Sequence, residues 1–150
     1  MGRANKQLQE SLGYIVNKSS KIVLKHLNQE FMRKGYNLTW EQFDVLIHLS
    51  FSGGQQQQQL VEKLSKDKTT VTRLIKSIEE LDLVKRVANK DDKREKVVYL
   101  TKSGEKIMKK LTGIVQGVLM KAQTGIDPAD LDTCKNVLRR IHETLSKELT

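Results

Sequence analysis

The middle of the chain most constrains the fold, because it combines two short helical patterns with a tight turn. Leu60 and Leu64 recur at helical spacing and predict a short helix. The glutamine run Gln55–Gln59 is expected to form the exposed start of that helix, with a polar loop as the alternative interpretation. Residues 65–67 then predict a tight turn in which Asp67 is the N-cap of a second helix. The predicted order is therefore helix, turn, helix.

The second of these helices is predicted to have one apolar and one cationic face. Its buried face is expected to hold Val71, Leu74, Ile75 and Ile78. Short hydroxylated and long cationic side chains near a helix start can reach base edges and phosphates in the major groove of DNA. Threonines at such a position can instead serve only as caps, which is the alternative interpretation here. The candidate DNA-binding residues of this helix are Lys68, Thr69, Thr70, Thr72, Arg73 and Lys76.

A β-hairpin is predicted directly after the second helix. Residues 83–88 and 96–101 are rich in β-branched side chains and flank a polar turn at 89–94. Arg94 is a candidate for a narrow minor groove, where the negative potential is enhanced. Asp92 is expected to orient it through a charge-assisted pair, and a solvated hairpin tip is the alternative. Together these elements predict a winged helix-turn-helix that binds DNA.

Long helices are predicted on both sides of this lobe. An apolar stripe from Leu8 to Phe31 predicts one long helix that ends at Gly35. Thr39 with Gln42 predicts a capping box at the start of the next helix. After the hairpin, Thr101 is expected to cap a helix that stops at Gly125, and Asp127-Pro128 opens the last one.

The last helix carries apolar residues three and four positions apart, which is the pattern of a helix seam. The seam residues are Leu131, Cys134, Leu138, Ile141 and Leu145. Because such a seam requires another helix to cover it, a partner helix is expected. Cys134 is expected to be a small buried seam residue, with a redox sensor as the alternative. The fold class is thus mainly α with a small β-hairpin wing, a winged helix-turn-helix flanked by long N- and C-terminal helices.

Charge and composition narrow the function classes. The chain has 27 lysines and arginines against 18 aspartates and glutamates, a formal net charge of +9 that favours a polyanionic partner. No apolar run approaches the ~20 residues of a membrane span, so we expect no membrane partner and a cytoplasmic location. No metal-ligand spacing joins His26, His48 and His142, and neither a phosphate loop nor a nucleophile–base pair is present. An enzyme, a metal site and a cofactor are therefore not expected.

Two alternatives to a sequence-specific regulator stay open at this point. A sequence-independent architectural protein would bind DNA through charge alone, with steep salt dependence and little sequence preference. A protein-interaction module is the other, since winged helices also bind proteins. The clustering of Lys68, Thr69, Arg73 and Arg94 on one side favours nucleic acid.

Residues 38–107 resemble the MarR (multiple antibiotic resistance regulator) family in the order and spacing of several short motifs. These are Leu38-Thr39, Gln42-Phe43, Val45-Leu46, Leu60, Leu64, the run from Asp67 to Ile75, Glu79, Leu83-Val84, Arg86, Asp92-Lys93-Arg94 and Leu100 to Gly104. Two residues depart from the family pattern: Val61 stands where an alanine is usual, and Asp82 where a glycine often closes the recognition helix. Asp82 is expected to adopt a left-handed cap all the same.

The resemblance implies a single MarR-like domain over residues 1–150, with dimerisation helices at 1–36 and 105–150 and a DNA-binding lobe at 38–104. It implies that residues 68–73 lie on the recognition helix and that Arg94 is the wing arginine. It further implies a homodimer on a pseudo-palindromic operator in double-stranded DNA, usually a repressor that a small phenolic or lipophilic effector releases. Tyr14, Tyr36 and Trp40 are the candidate effector-pocket residues, with core packing as the alternative.

Overall fold

A computed structural model of the chain describes residues 2–149. It contains two compact units, of which the first extends through Val118 and the second begins at Leu119. Helices and a small sheet make up the first unit. The elements in chain order are α1 (Gly2–Gln9), α2 (Leu12–Arg33), α3 (Trp40–Ser50), β1 (Gln55–Gln56), α4 (Gln57–Leu64), α5 (Lys68–Glu79), β2 (Val84–Ala88), β3 (Lys96–Leu100), α6 (Lys102–Ala122) and α7 (Pro128–Glu148).

The core of the first unit lies where α3, α4 and α5 meet the sheet. Phe43 of α3 is buried and packs edge-on against Phe31 of α2, with ring centroids 5.7 Å apart. Apolar side chains of α5 fill the centre, as the sequence predicts, and burial of each stabilises the lobe by roughly 1.5–3 kcal/mol. The buried residues of α5 are Val71, Leu74, Ile75 and Ile78.

The sheet has three antiparallel strands in the order β1-β3-β2. Val87 pairs with Val97 across the hairpin, and Gln55 of β1 pairs with Val98 on the other edge of β3. The predicted hairpin is therefore present. The prediction that Gln55–Gln59 starts a helix is wrong for its first two residues, which form β1, and Gln55 is 4% exposed. Strand pairing with β3 overrides the helix preference of glutamine there, so that α4 begins at Gln57.

The predicted N-terminal helix is interrupted. Ser11 lies between α1 and α2, where its Oγ donates to the Leu8 carbonyl oxygen (2.6 Å) and accepts from the Tyr14 amide (3.3 Å). Serine competes for backbone groups in this way and starts a new helix. The prediction of one long helix is therefore wrong at this point, whereas its end at Gly35 is confirmed by a left-handed φ of 86°.

Most predicted helix starts and stops are confirmed by their hydrogen bonds. Thr39 and Gln42 form the capping box of α3, and Asp127 caps α7 with Pro128 in its first turn. Thr101 Oγ1 accepts from the Gly104 amide at 3.0 Å, as a cap of α6 should. Asp82 has a φ of 56°, which is the left-handed conformation expected of it.

Helix α7, taken by itself, has no buried residue along its described length. Ile141 and Leu145 of its seam are exposed, and so is Val137 beside them. The expectation that Cys134 is buried is therefore wrong for the single chain, where the thiol is exposed because nothing covers the seam. Within residues 2–149, no helix has the length and apolar character that crossing a membrane requires.

Candidate nucleic-acid interface

Asp67 fixes the start of α5. Its Oδ1 accepts from the Thr70 amide (2.8 Å) and its Oδ2 accepts from the Thr70 hydroxyl (2.7 Å). These bonds lower the pKa of the Asp67 carboxyl, so that the negative charge persists beside the positive end of the helix dipole. In the structure, therefore, the Thr70 side chain takes part in the helix cap, which is the alternative to a DNA contact.

An exposed edge of α5 carries three cationic side chains and a hydroxyl. These side chains have no hydrogen-bond or ion-pair partner in the part of the chain that the structure describes. They recur at helical spacing on one side of α5, which leaves long donors directed away from the protein. The four residues, which we call the α5 edge, are Lys68, Thr69, Arg73 and Lys76.

Thr72 belongs to the contact between α4 and α5 instead. Its hydroxyl donates to the Lys68 carbonyl oxygen at 2.8 Å and accepts from Gln57 Nε2 at 2.6 Å. The side chain is half-buried. Thr72 therefore holds α4 against the first turns of α5, a placement that the sequence pattern alone did not reveal.

The hairpin tip presents Arg94 with its side chain 92% exposed and paired to Asp92. Asp92 Oδ1 accepts from the Arg94 amide (3.0 Å) and from Arg94 Nε (3.2 Å). The Arg94 amide is the larger cause, and the guanidinium the second, of a lowered pKa of the Asp92 carboxyl. The pair with Asp92 gives the exposed guanidinium a preferred direction at the hairpin tip.

A groove of about 290 Å³ separates the start of α5 from the hairpin. Lys68 and Arg94 line its two sides, and Lys96 adds a third cation at the start of β3. Sequence reasoning missed Lys96, although it lies two positions after Arg94, where an extended chain returns a side chain to the same face. The remaining lining residues are Gln56, Gln57, Gln58, Val61 and Glu95.

Glu79 near the end of α5 and Arg86 in β2 tie the hairpin to the helix. Arg86 Nε donates to Glu79 Oε2 at 3.0 Å, and Nη2 of the same guanidinium donates to that oxygen as well. The bond from Arg86 is the main cause of a lowered pKa of the Glu79 carboxyl. Both side chains are half-buried, which shields the pair from water.

Because the pKa of folded Glu79 is lowered, its pairing stabilises the lobe at pH values above the unfolded glutamate pKa of about 4.3. That contribution is lost as the pH falls through the lower folded-state pKa. We expect Glu79→Gln to cost about 1 kcal/mol at pH 7 and less at pH 3. Urea unfolding of both proteins at the two pH values measures this, and an equal cost at both would show that the charge of Glu79 is irrelevant.

The structure separates the three candidate effector residues. Tyr36 and Trp40 are half-buried against the core, and the Trp40 ring packs edge-on against Phe43 at 5.7 Å. The Trp40 amide donates to Asn28 Oδ1 at 2.7 Å. Asn28 lies fourteen residues beyond Tyr14 in α2, about 21 Å along a helix axis. Within one chain, therefore, Tyr14 does not share a pocket with Trp40.

Comparison with known proteins connects this geometry to a family. The MarR family model matches residues 38–96. The HTH-type transcriptional regulator MgrA of Staphylococcus aureus is 32% identical over 105 residues, which are 70% of this chain and 71% of the relative. This chain belongs to the MarR family. The prediction of a MarR-family transcriptional regulator is thereby confirmed. A second relative, the uncharacterised HTH-type regulator YwoH of Bacillus subtilis, is 36% identical over 91 residues, 61% of this chain and 64% of its own length.

Solved structures confirm the predicted winged helix-turn-helix fold. The repressor CouR bound to a 23-mer DNA duplex superimposes with a TM-score of 0.82 at 20% identity, covering 91% of this chain and 95% of that one. A cysteine-to-serine variant of MarR from E. coli complexed with operator DNA gives a TM-score of 0.79 at 23% identity, with coverages of 87% and 92%. At these identities the likeness establishes the fold.

Proposed function

We propose that this MarR-family chain binds a pseudo-palindromic operator in double-stranded DNA as a symmetric homodimer. Helix α5 enters the major groove, and Arg94 of the hairpin enters the adjacent minor groove. The observation that carries the proposal is the α5 edge, whose unpartnered donors lie beside an arginine already oriented by Asp92. Two proteins of the same fold, MarR from E. coli and CouR, have been solved with DNA.

The net charge of +9 supports the same assignment, because it draws the protein toward a polyanion. Charge alone would also suit an architectural protein. Recognition of a particular DNA sequence is favoured by Thr69 and Arg73. They present a hydroxyl and a planar fork of donors, which are groups that distinguish base edges in the major groove. We accordingly assign the chain a cytoplasmic regulatory role and no catalysis.

We further propose that binding represses transcription and that a small phenolic or lipophilic effector relieves it. CouR has been solved with p-coumaroyl-CoA, and BpsR of Bordetella bronchiseptica is regulated in its DNA binding by 6-hydroxynicotinic acid. Tyr36 and Trp40 are the aromatic side chains at the base of the lobe that suit such a ligand. Tyr14 contributes only if a second chain brings it there.

Selection of bound sequences from a random duplex pool at near-physiological salt tests the proposal. We expect enrichment of an inverted repeat whose half-sites lie about one helical turn apart. Arg73→Ala and Arg94→Ala should each weaken binding of the selected operator by about 10- to 100-fold, since a good base or groove contact contributes about 1–3 kcal/mol.

Arg139→Ala is the matched control, because it removes the same charge from an exposed position of α7 outside the DNA-binding lobe. It should leave the operator preference intact. Binding without enrichment of any sequence would favour the architectural protein, and absence of DNA binding would favour the protein-interaction module.

A further inference from the structure

Three consecutive glutamines join three different elements of the DNA-binding lobe. We call Gln55–Gln57 the glutamine strap. Each side-chain amide of the strap donates to an acceptor in a different element. The run therefore links α3, the hairpin and α5. The three bonds run from Gln55 Nε2 to the His48 carbonyl oxygen of α3 (3.0 Å), from Gln56 Nε2 to Glu95 Oε2 at the hairpin (2.8 Å), and from Gln57 Nε2 to Thr72 Oγ1 of α5 (2.6 Å).

The backbone of the strap is itself fixed. Gln55 is 4% exposed and pairs with Val98 in the central strand of the sheet. The Gln56 amide donates to Gln59 Oε1 at 3.0 Å, which closes the first turn of α4. Because strand pairing and this bond support the main chain, the amides of Gln56 and Gln57 reach their acceptors from a defined position.

On the hairpin side, the strap reaches the residue that closes the turn. Glu95 Oε2 accepts from Asn89 Nδ2 (3.2 Å) as well as from Gln56. The backbones of Asn89 and Glu95 are also bonded, since the Asn89 amide donates to the Glu95 carbonyl oxygen at 2.8 Å. Glu95 directly follows Arg94, so its carboxylate holds the end of the turn that carries the arginine, while the guanidinium itself pairs with Asp92.

On the helix side, the strap reaches the part of α5 that carries the candidate base-reading groups. Thr72 lies one helical turn after Lys68 and next to Arg73. Its hydroxyl is shared between Gln57 and the Lys68 carbonyl oxygen. The same run of glutamines therefore anchors both sides of the groove that separates the α5 edge from Arg94.

We propose that the glutamine strap sets the spacing between the recognition helix and the wing, which makes Gln56, Gln57 and Glu95 positioning residues for operator binding. This rests on the proposed function. The binding energies of a major-groove and a minor-groove contact add only if both contacts can form at once. If the spacing between helix and wing is loose, part of the combined binding energy is lost. The strap supplies this support through hydrogen bonds to both partners.

Glu95 offers the sharpest test, because charge and positioning predict opposite signs. Removal of a carboxylate beside DNA should tighten binding if only its charge matters. If Glu95 instead positions the wing, Glu95→Ala should weaken binding of the selected operator about five- to tenfold, which lies within the range of coupling between residues of one network. Glu95→Gln keeps an oxygen that accepts from Gln56 and Asn89 while losing the charge, so it should bind more tightly than wild type.

The controls separate the strap from general effects. Glu80→Ala removes one negative charge from the exposed end of α5 and should not weaken binding. In an Arg94→Ala background, Glu95→Ala should cost less than about twofold, because the contact that it positions is already gone. Tighter binding by Glu95→Ala, or full additivity with Arg94→Ala, would overturn the proposal.

A measurement without DNA tests the positioning role of the strap independently of the proposed function. Backbone ¹⁵N order parameters at residues 90–94 should fall in Glu95→Ala and Gln56→Ala and recover in Glu95→Gln. Unchanged order parameters in both alanine variants would refute the strap even if operator binding is confirmed. Conversely, a wild-type protein with no sequence preference refutes the proposed function, while the order parameters still decide whether the strap holds the wing.

Discussion

Replacing Gly104 by alanine is expected to lower the free energy of unfolding by about 2–3 kcal/mol. A Cβ atom at Gly104 would lie 2.1 Å from the carbonyl oxygen of Leu83 and 3.0 Å from Leu100 Cδ2. The Leu100 methyl group can rotate away, but the Leu83 oxygen belongs to the backbone that leads from α5 into β2. Urea unfolding at one fixed protein concentration measures the loss, since dimerisation makes the midpoint concentration-dependent.

Gly113→Ala provides the control within the same helix. Nothing lies within 4 Å of a Cβ built at Gly113, so alanine should stabilise α6 by up to about 1 kcal/mol through its better helix propensity. If alanine lowers the free energy of unfolding at position 104 and raises it at position 113, the close approach of the backbone at Gly104 is the cause of the loss. Equal effects would mean that helix propensity alone governs both positions.

Gly104 matters because it lies where the DNA-binding lobe turns into α6. Its amide donates to Thr101 Oγ1 (3.0 Å), and the Thr101 hydroxyl donates to the Asp82 carbonyl oxygen (2.6 Å). Asp82 is the left-handed residue that ends the α5 segment. Asp82, Thr101 and Gly104 thus connect the end of α5 to α6, and a side chain at position 104 would separate them.

Helix α5 could be predicted from the sequence because its signals are local. Asp67 precedes the helix by one residue, and the buried positions from Val71 to Ile78 recur within three turns. Both the fold of this segment and the exposure of Arg73 follow from helical periodicity alone. The exposure of the α5 edge could therefore be predicted from the sequence, whereas its role in binding DNA stays a prediction.

The glutamine run could not be predicted in the same way. Glutamine favours helices, and nothing near Gln55 indicates that it will pair with Val98, 43 residues later. The partners of the strap, Glu95 and Thr72, are equally remote along the chain. Contacts of this kind arise only after the lobe has folded, so a repetitive polar segment conceals its role until the structure is known.

The burial of the α7 seam could not be predicted from one chain either, because it depends on contacts with a second chain. The spacing of its apolar residues predicts a seam, yet along the described length of α7 no residue is buried in the single chain. A seam of aliphatic side chains left in water is a strong indication of a partner helix, since burial of each would stabilise an assembly by roughly 1.5–3 kcal/mol. We therefore expect a second copy of this chain to supply the missing burial.

Ile141→Glu is expected to convert the dimer to a monomer and to weaken operator binding by more than about 100-fold. A mostly apolar cleft of about 440 Å³ on α7 is lined by Val137, Arg140, Ile141, Thr144 and Leu145, and a partner helix that covered it would remove a carboxylate at position 141 from water. A monomer holds one half-site only and loses the gain of about 10²–10⁴ that two linked contacts provide. Light scattering gives the oligomeric state, and fluorescence anisotropy gives the operator affinity.

Asn136→Glu adds the same charge to the opposite face of α7, about 180° around the helix from the seam, and should leave both the dimer and its operator affinity nearly unchanged. Circular dichroism should show that both variants stay helical, because α7 has its own caps at each end. If Ile141→Glu remained dimeric, the seam would not be the interface. If it were monomeric yet bound the operator as tightly as wild type, recognition would not need two copies of α5, and the symmetric arrangement proposed for this protein would be wrong.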